Sequence, residues 1–312
     1  MSAQARGHLA MLVFSALVAG SFSLGSLIAN KIAPEAITAA RFLIASVVIG
    51  VAALVTTGLP RSAAQAPWRY LVLGGLFATY FVLMFYGLKT APPVSAAAVF
   101  TLTPVLSAVA GWVLLRQVTT PRMALALTVG AVGALWVIFR ADWQAAAAFE
   151  IGGGEIIYFW GCVAHAIYTP MVRKLNRGEP AVVFTFGTLV AGCVLLTLYG
   201  WSDIRATDWA NLPLIVWVGL LYVSIFATAA SFVLVQFAAL RLPSAKVMAY
   251  TYLTPSWVIL WEIALGNGGP VALILVGVVL TCVALLMLLR PDDQLGTAAA
   301  ARPGANSGDA GP

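Results

Sequence analysis

Three observations predict an all-α integral membrane protein of ten transmembrane helices, arranged as two inverted five-helix repeats around a central cavity. Of 312 residues, 62% are hydrophobic and only 9% charged, against about 25% charged in an ordinary soluble protein. No soluble core absorbs that much apolar surface, so the bilayer must be the solvent. The apolar residues fall into runs of about the 20 residues that span a bilayer as a helix. The chain also repeats itself: Leu102-Thr103-Pro104 returns as Leu253-Thr254-Pro255, 151 positions on (253 minus 102), and Pro92 matches Pro243 at the same offset.

The first run, 8–29, follows Arg6 and resembles a signal peptide. No soluble domain follows it, so it is read as a retained helix. The second, 34–58, opens at Ala33-Pro34 and stops before Leu59-Pro60-Arg61; the third is 67–89. The fourth, 92–115, holds the first Leu-Thr-Pro, and the fifth, 121–139, follows Thr120-Pro121-Arg122. The sixth is 152–173. The seventh, 179–199, opens at Glu179-Pro180, as the second did at Ala33-Pro34. The eighth is 213–238. The ninth, 243–265, holds the second Leu-Thr-Pro and ends at Gly266-Asn267-Gly268-Gly269-Pro270, and the tenth is 270–290. The first repeat is placed at 1–145, the second at 146–290, and a disordered cytoplasmic tail rich in Ala, Gly, Pro and Asp at 291–312.

The cations set the orientation. With the N-terminus in the cytoplasm, Arg6, Arg61, Arg69, Arg116, Arg122, Arg173, Lys174, Arg177, Arg241, Lys246, Arg290 and Arg302 lie inside, while Lys31, Lys89, Arg140 and Arg205 lie outside. Twelve against four is a positive-inside pattern with both termini cytoplasmic. Five helices is an odd number, so the second repeat enters the membrane from the opposite side. The net charge of +6 is no footprint for nucleic acid, because the Lys and Arg residues punctuate apolar runs and form no stripe. Cys162, Cys193 and Cys282 sit singly in apolar spans, which gives neither a metal pattern nor a disulfide framework. No metal or cofactor is expected, and the oligomeric state is left open.

Ionisable groups inside a span are costly and are candidates for function. Glu262 and Glu155 lie near outer helix ends, so a mid-membrane carboxylate relay has no seat; facilitated diffusion stays open. His165 lies near the middle of the sixth helix, on one face with Tyr158, Cys162 and Thr169. It serves substrate binding or proton sensing, or an interhelical hydrogen bond. Arg41 lies about 10 Å below the outer end of the second helix. It either attracts a carboxylate or closes an outer gate, or it is satisfied by backbone carbonyls or snorkels outward.

Pro104 and Pro255 lack an N–H, which frees the carbonyls of Phe100 and Thr251 four residues earlier. Each proline lies about 18 Å along its helix, and the two helices run antiparallel, so both breaks fall near mid-membrane. Either the freed carbonyls face one wet pocket, with Thr103 and Thr254 beside them, or the prolines act as hinges or gates. Tyr250, Thr254, Trp257 and Trp261 share one face of the ninth helix. Tyr80, Phe81, Phe85 and Tyr86 lie on the third, and Tyr80 and Tyr250 are too deep for an interfacial belt. Aromatic walls with a few polar groups suit amphipathic solutes such as aromatic or large apolar amino acids. Small residues four apart, Ala126, Gly130 and Ala134 in the fifth helix and Gly277 and Thr281 in the tenth, allow either an intramolecular pair or a dimer contact.

Inverted repeats with broken helices near mid-membrane are the architecture of secondary transporters. At these residues the chain resembles a known family, the drug/metabolite transporter superfamily with its EamA-type ten-helix repeat. The resemblance rests on Arg41-Phe42, on Ala91-Pro92-Pro93 leading to Leu102-Thr103-Pro104, on Leu253-Thr254-Pro255 and on Ala164 to Leu175 ending in Arg173-Lys174, and it covers residues 8–290. Ser21-Phe22-Ser23 stands where many members carry Trp-Gly. The resemblance implies outward, alternating-access transport of a small metabolite across a bacterial inner membrane, most like the aromatic amino-acid exporters. An intramembrane enzyme needs a metal cluster, paired carboxylates or a nucleophile turn, none of which the spans offer. A channel needs a filter-like ring, and aromatic walls fit discrete solute binding better.

Overall fold

Prolines open most of the helices. In the computed structural model, which describes residues 3–147 and 151–289, the long helical columns are α1 (Ala3–Ile28), α2 (Pro34–Thr56), α3 (Trp68–Leu88), α4 (Pro93–Leu115), α5 (Pro121–Ile138), α6 (Gly153–Leu175), α7 (Ala181–Tyr199), α8 (Leu214–Ala239), α9 (244–264) and α10 (Ile274–Leu289). Pro34, Pro93 and Pro121 sit in the first turn of α2, α4 and α5, where a missing N–H costs nothing. Pro180, Pro213 and Pro243 immediately precede α7, α8 and α9. Thr120 adds a side-chain cap, its Oγ1 accepting from the Met123 N–H. Arg290, Arg302 and the expected tail 291–312 lie outside the described residues.

Seven of the columns, α1 to α5, α7 and α8, are long and apolar enough to cross a membrane. The other three predicted spans differ for physical reasons. α6 has 23 residues but carries the polar face that holds His165. α9 is split into Ser244–Met248, a 3₁₀ stretch Ala249–Leu253 and Thr254–Ala264. α10 starts at Ile274 rather than 270, because Gly266 and Gly268 take left-handed φ of +81° and +78° ahead of Pro270. α8 is interrupted by a π segment, Ile225–Ala230.

The two Leu-Thr-Pro copies have matching backbone. Pro92 and Pro243 cap their helices at φ/ψ of −59°/146° and −58°/146°, and Leu102 and Leu253 sit at −77°/−15° and −83°/−14°. α4 and α9 lie side by side: the part of α4 before its break packs on the part of α9 after its break, and the converse holds at the other end. The breaks therefore meet where the two helices run past each other.

Helix packing links the two halves of the chain throughout. α3 packs on α6 and α7, α8 on α1 and α2, α2 on α7, α4 on α9 and α5 on α10. Close approach is bought by glycine. A Cβ on Gly74 of α3 would lie 2.5 Å from the Gly192 nitrogen of α7, and one on Gly277 of α10 would lie 2.6 Å from the Gly133 carbonyl oxygen of α5. α5 and α10 thus form an intramolecular pair, with Gly133 rather than the expected Ala126, Gly130 and Ala134 stripe at its closest approach. Gly130, by contrast, makes room for the Tyr252 ring, which a Cβ there would meet at 2.3 Å.

The connections sort to two ends. At one, a single cavity touches His8, Gln117, Arg173 and Lys246, and Arg69 reaches the end of α6. At the other, Asn30 donates to the Lys89 carbonyl and Tyr86 to Glu35 Oε1 at 2.7 Å. The first, cation-rich end is called the basic end below.

Candidate functional site

The interior between α1, α3, α4, α6 and α8 is built of rings. His165 of α6 is 1% exposed. Its imidazole centre lies 4.6 Å from the Tyr80 ring, 5.1 Å from Phe77 and 5.3 Å from Phe100. Phe22 of α1 closes the group against Phe100 and Tyr158, and Phe232 of α8 meets Phe77 edge to face at 4.0 Å. Ring pairs at these separations contribute about 0.5–1.5 kcal/mol each beyond their buried area. The Tyr80 and Tyr158 hydroxyls share a hydrogen bond of 3.0 Å. The Cys162 thiol lies within hydrogen-bonding reach of Tyr158 and Thr103, which ties the break in α4 to the polar face of α6.

This arrangement corrects two expectations. Where a central cavity was expected, His165, Tyr80, Tyr158 and Phe100 close on one another, each buried. The carbonyls expected to be free are also occupied: Phe100 O accepts from Thr103 Oγ1, and Thr251 O accepts from the Thr254 N–H through the 3₁₀ turn. The chain repairs each proline break locally, because an unpaired buried carbonyl is expensive. Pro104 and Pro255 begin the restarted helices, and both are buried.

What stays unpaired is side-chain polarity. Buried atoms without a hydrogen-bond partner include His165 Nδ1, Thr169 Oγ1, Gln236 Oε1, Thr251 Oγ1, Thr254 Oγ1, Ser23 Oγ and Arg41 Nη1. An unmet buried polar group costs about 1–3 kcal/mol. Gln236 also donates to Tyr168 OH at 2.7 Å.

The predicted α9 residues form a second group. Tyr250 faces His8 of α1, ring centres 6.0 Å apart, and half-buried Trp257 donates to Ser15 Oγ at 3.3 Å. They line the α1–α9 seam on the way from the basic end, apart from the His165 rings. Arg41 is fully buried; its Nε donates to Thr228 Oγ1 in the π segment of α8 and its Nη2 to the Val223 and Ala227 carbonyls, as in the expected alternative of an arginine satisfied by backbone carbonyls.

At the basic end a cavity of about 440 Å³ is lined by His8, Gln117, Thr120, Arg173 and Lys246. Beside it, Arg69 and Glu179 form a salt bridge of 2.7 Å with both side chains buried. Arg69 also donates to Leu175 O at 2.8 Å, and Glu179 Oε2 accepts from the Arg177 N–H at 2.7 Å. Burial alone would raise the Glu179 carboxyl, but the hydrogen bonds from Arg69 and the backbone hold it below its usual value.

Sequence reasoning missed Phe22, Phe77, Phe232, Gln236 and His8. A glutamine inside an apolar span was a readable signal of the same kind as His165. The phenylalanines were not, since nothing separates a ring in a site from a ring against lipid until the helices are packed.

Comparison with known proteins agrees with this architecture. The model of the EamA-like transporter family matches twice, over residues 5–139 and 152–290. A protein of Bacillus subtilis (strain 168) described as the uncharacterized transporter YyaM is 25% identical over 263 residues, covering 83% of this chain and 86% of that one. A solved crystal structure shares the fold at a TM-score of 0.70 and 21% identity, covering 92% of this chain and 96% of the other. The paired family match, spanning both halves of an all-helical chain with apolar spans, identifies it: the chain belongs to the EamA-like transporter family and is an integral membrane transporter.

Proposed function

We propose that the protein exports small metabolites, specifically amino acids with aromatic or large apolar side chains, by alternating access. The observation that carries the reading is the ring cluster around His165. It offers apolar walls for a side chain and unpaired polar atoms for an amino-acid head group, the composition expected of a small-molecule site. A cavity of about 440 Å³ lies at the basic end and one of about 480 Å³, lined by Lys31, Asp203 and Asn211, at the other. On the positive-inside orientation the basic end is cytoplasmic. Both termini then lie in the cytoplasm and the protein sits in the bacterial inner membrane.

The helix pairings support two inverted repeats, 1–145 and 146–290. Under exchange of each helix with the one five places on, α3 on α6 becomes α8 on α1, α3 on α7 becomes α8 on α2, and α2–α7, α4–α9 and α5–α10 map onto themselves. Such a pairing set lets one half rock against the other around a fixed centre. Pro104 and Pro255, at the restarts of the two adjoining helices, are the hinges of that motion.

The test is uptake of radiolabelled aromatic amino acids by liposomes containing the purified protein. Saturable uptake that exceeds empty liposomes is expected. Flux linear in concentration favours a channel, and no flux of any aromatic or large apolar amino acid contradicts the substrate class.

A further inference from the structure

Two arginines are fully buried among the described residues, and they are treated differently. Arg69 has Glu179 as counter-ion at 2.7 Å. Arg41, equally buried, has only neutral partners: Thr228 Oγ1 at 2.9 Å, Val223 O at 3.3 Å, Ala227 O at 3.4 Å and the face of Phe81 at 3.6 Å. Its Nη1 has no partner at all. A guanidinium cannot shed its proton to escape this cost, and a charge taken out of water without a counter-ion is expensive. The surroundings hold it in place nonetheless. The acceptors all come from α8: Thr228 and Ala227 lie within its π segment, Ile225–Ala230, a local distortion frequent at functional sites, and Val223 lies just before it.

We propose that Arg41 Nη1, together with the Tyr80–Tyr158 hydroxyl pair, is the subsite that receives the carboxylate of the transported molecule. Phe81, whose face the Arg41 guanidinium covers at 3.6 Å, lies 4.6 Å from the Tyr80 ring, centre to centre, and the Tyr80 and Tyr158 hydroxyls share one hydrogen bond of 3.0 Å. In that pair one hydroxyl donates to the other, which leaves one O–H to donate onward. A guanidinium nitrogen and a phenol then present donors to an oxygen pair. One uncompensated positive charge matches a monoanion such as a carboxylate; a phosphate dianion would bring a surplus charge into the same dry interior. The rings around His165 adjoin Tyr80 and Tyr158 and accept the rest of the solute. The proposal deepens the transport reading above and rests on it for the class of solute.

The experiment reads binding and flux separately. Thermal stabilisation of the full-length protein in detergent is titrated with L-phenylalanine and L-phenylalaninamide, which differ in the carboxylate. Wild type is expected to prefer the carboxylate by roughly 10- to 100-fold, the range of a hydrogen bond to a charged group. Arg41→Met is expected to bring the two apparent affinities to within about threefold of each other. Thr228→Val keeps the charge but removes its 2.9 Å acceptor, and is expected to reduce the preference severalfold if Arg41→Met does not fold. Equal binding of acid and amide by wild type overturns the proposal, as does a full preference retained in whichever variant folds. Carboxylate-selective binding that Arg41→Met abolishes, without saturable flux in liposomes, keeps the subsite and removes the transport reading instead.

Discussion

Replacing Glu179 with Gln removes the counter-ion of a buried arginine without changing its shape. In the folded protein the carboxylate receives Arg69 Nη2 at 2.7 Å and the Arg177 N–H at 2.7 Å, and the Arg69 side chain is 1% exposed. Breaking a buried pair by removing one partner costs about 3–5 kcal/mol. Gln keeps one acceptor oxygen, and Arg69 keeps its bonds to Leu175 O at 2.8 Å and Gln65 O at 3.0 Å. The expected loss is therefore smaller, about 2–3 kcal/mol. Denaturant unfolding in a mild detergent micelle, followed by tryptophan fluorescence, measures it. A double-mutant cycle with Arg69→Met isolates the pair, with an expected coupling above about 1 kcal/mol. The pH dependence gives the sign independently. The Glu179 pKa is depressed in the folded state, so its stabilisation is fully present above the unfolded value of about 4.3 and is lost as pH falls through the lower folded value. The acid limb of the stability curve should flatten in Glu179→Gln. A variant that unfolds with wild type and keeps the same acid limb would refute the reasoning.

Four other substitutions follow from the packing. His165→Phe fills the same space and removes the unpaired Nδ1, so thermal stability should hold or rise by about 1 kcal/mol while saturable transport falls at least tenfold; unchanged transport would remove His165 from the site. Gly74→Ala would place a Cβ 2.5 Å from the Gly192 backbone nitrogen, and the expected destabilisation of about 1–3 kcal/mol is read as a lowered melting temperature, which a neutral result contradicts. Since the carbonyls of Phe100 and Thr251 are already satisfied, Pro104→Ala and Pro255→Ala should slow the transport cycle with apparent affinity unchanged within about threefold; a selective loss of affinity in uptake assays would restore the open-carbonyl idea.

Most helix ends were legible in the sequence because proline and glycine write them. Pro34, Pro93 and Pro121 sit at the starts of α2, α4 and α5, where predicted and observed boundaries agree closely. The repeated Leu-Thr-Pro announced two breaks of the same geometry, which Leu102 and Leu253 share. The repair of those breaks was not legible. Spacing tells that proline frees a carbonyl but not that Thr103 turns its hydroxyl back onto it. The His165 environment was half legible: a histidine in an apolar span drew attention to α6, yet Phe22, Phe77 and Phe232 come from α1, α3 and α8 and meet it only through packing. Arg41 was visible as a buried charge, but the lack of a counter-ion among the described residues, and the π segment that holds it, are tertiary facts.

Counterflow tests the central claim most directly. Liposomes containing the purified protein are loaded with unlabelled aromatic amino acid and diluted into a trace of the radiolabelled one. Alternating access around a single site predicts a transient accumulation of label above equilibrium, accelerated by the internal substrate and lost in His165→Phe. Label that approaches equilibrium without overshoot, at a rate indifferent to the internal amino acid, would contradict the account.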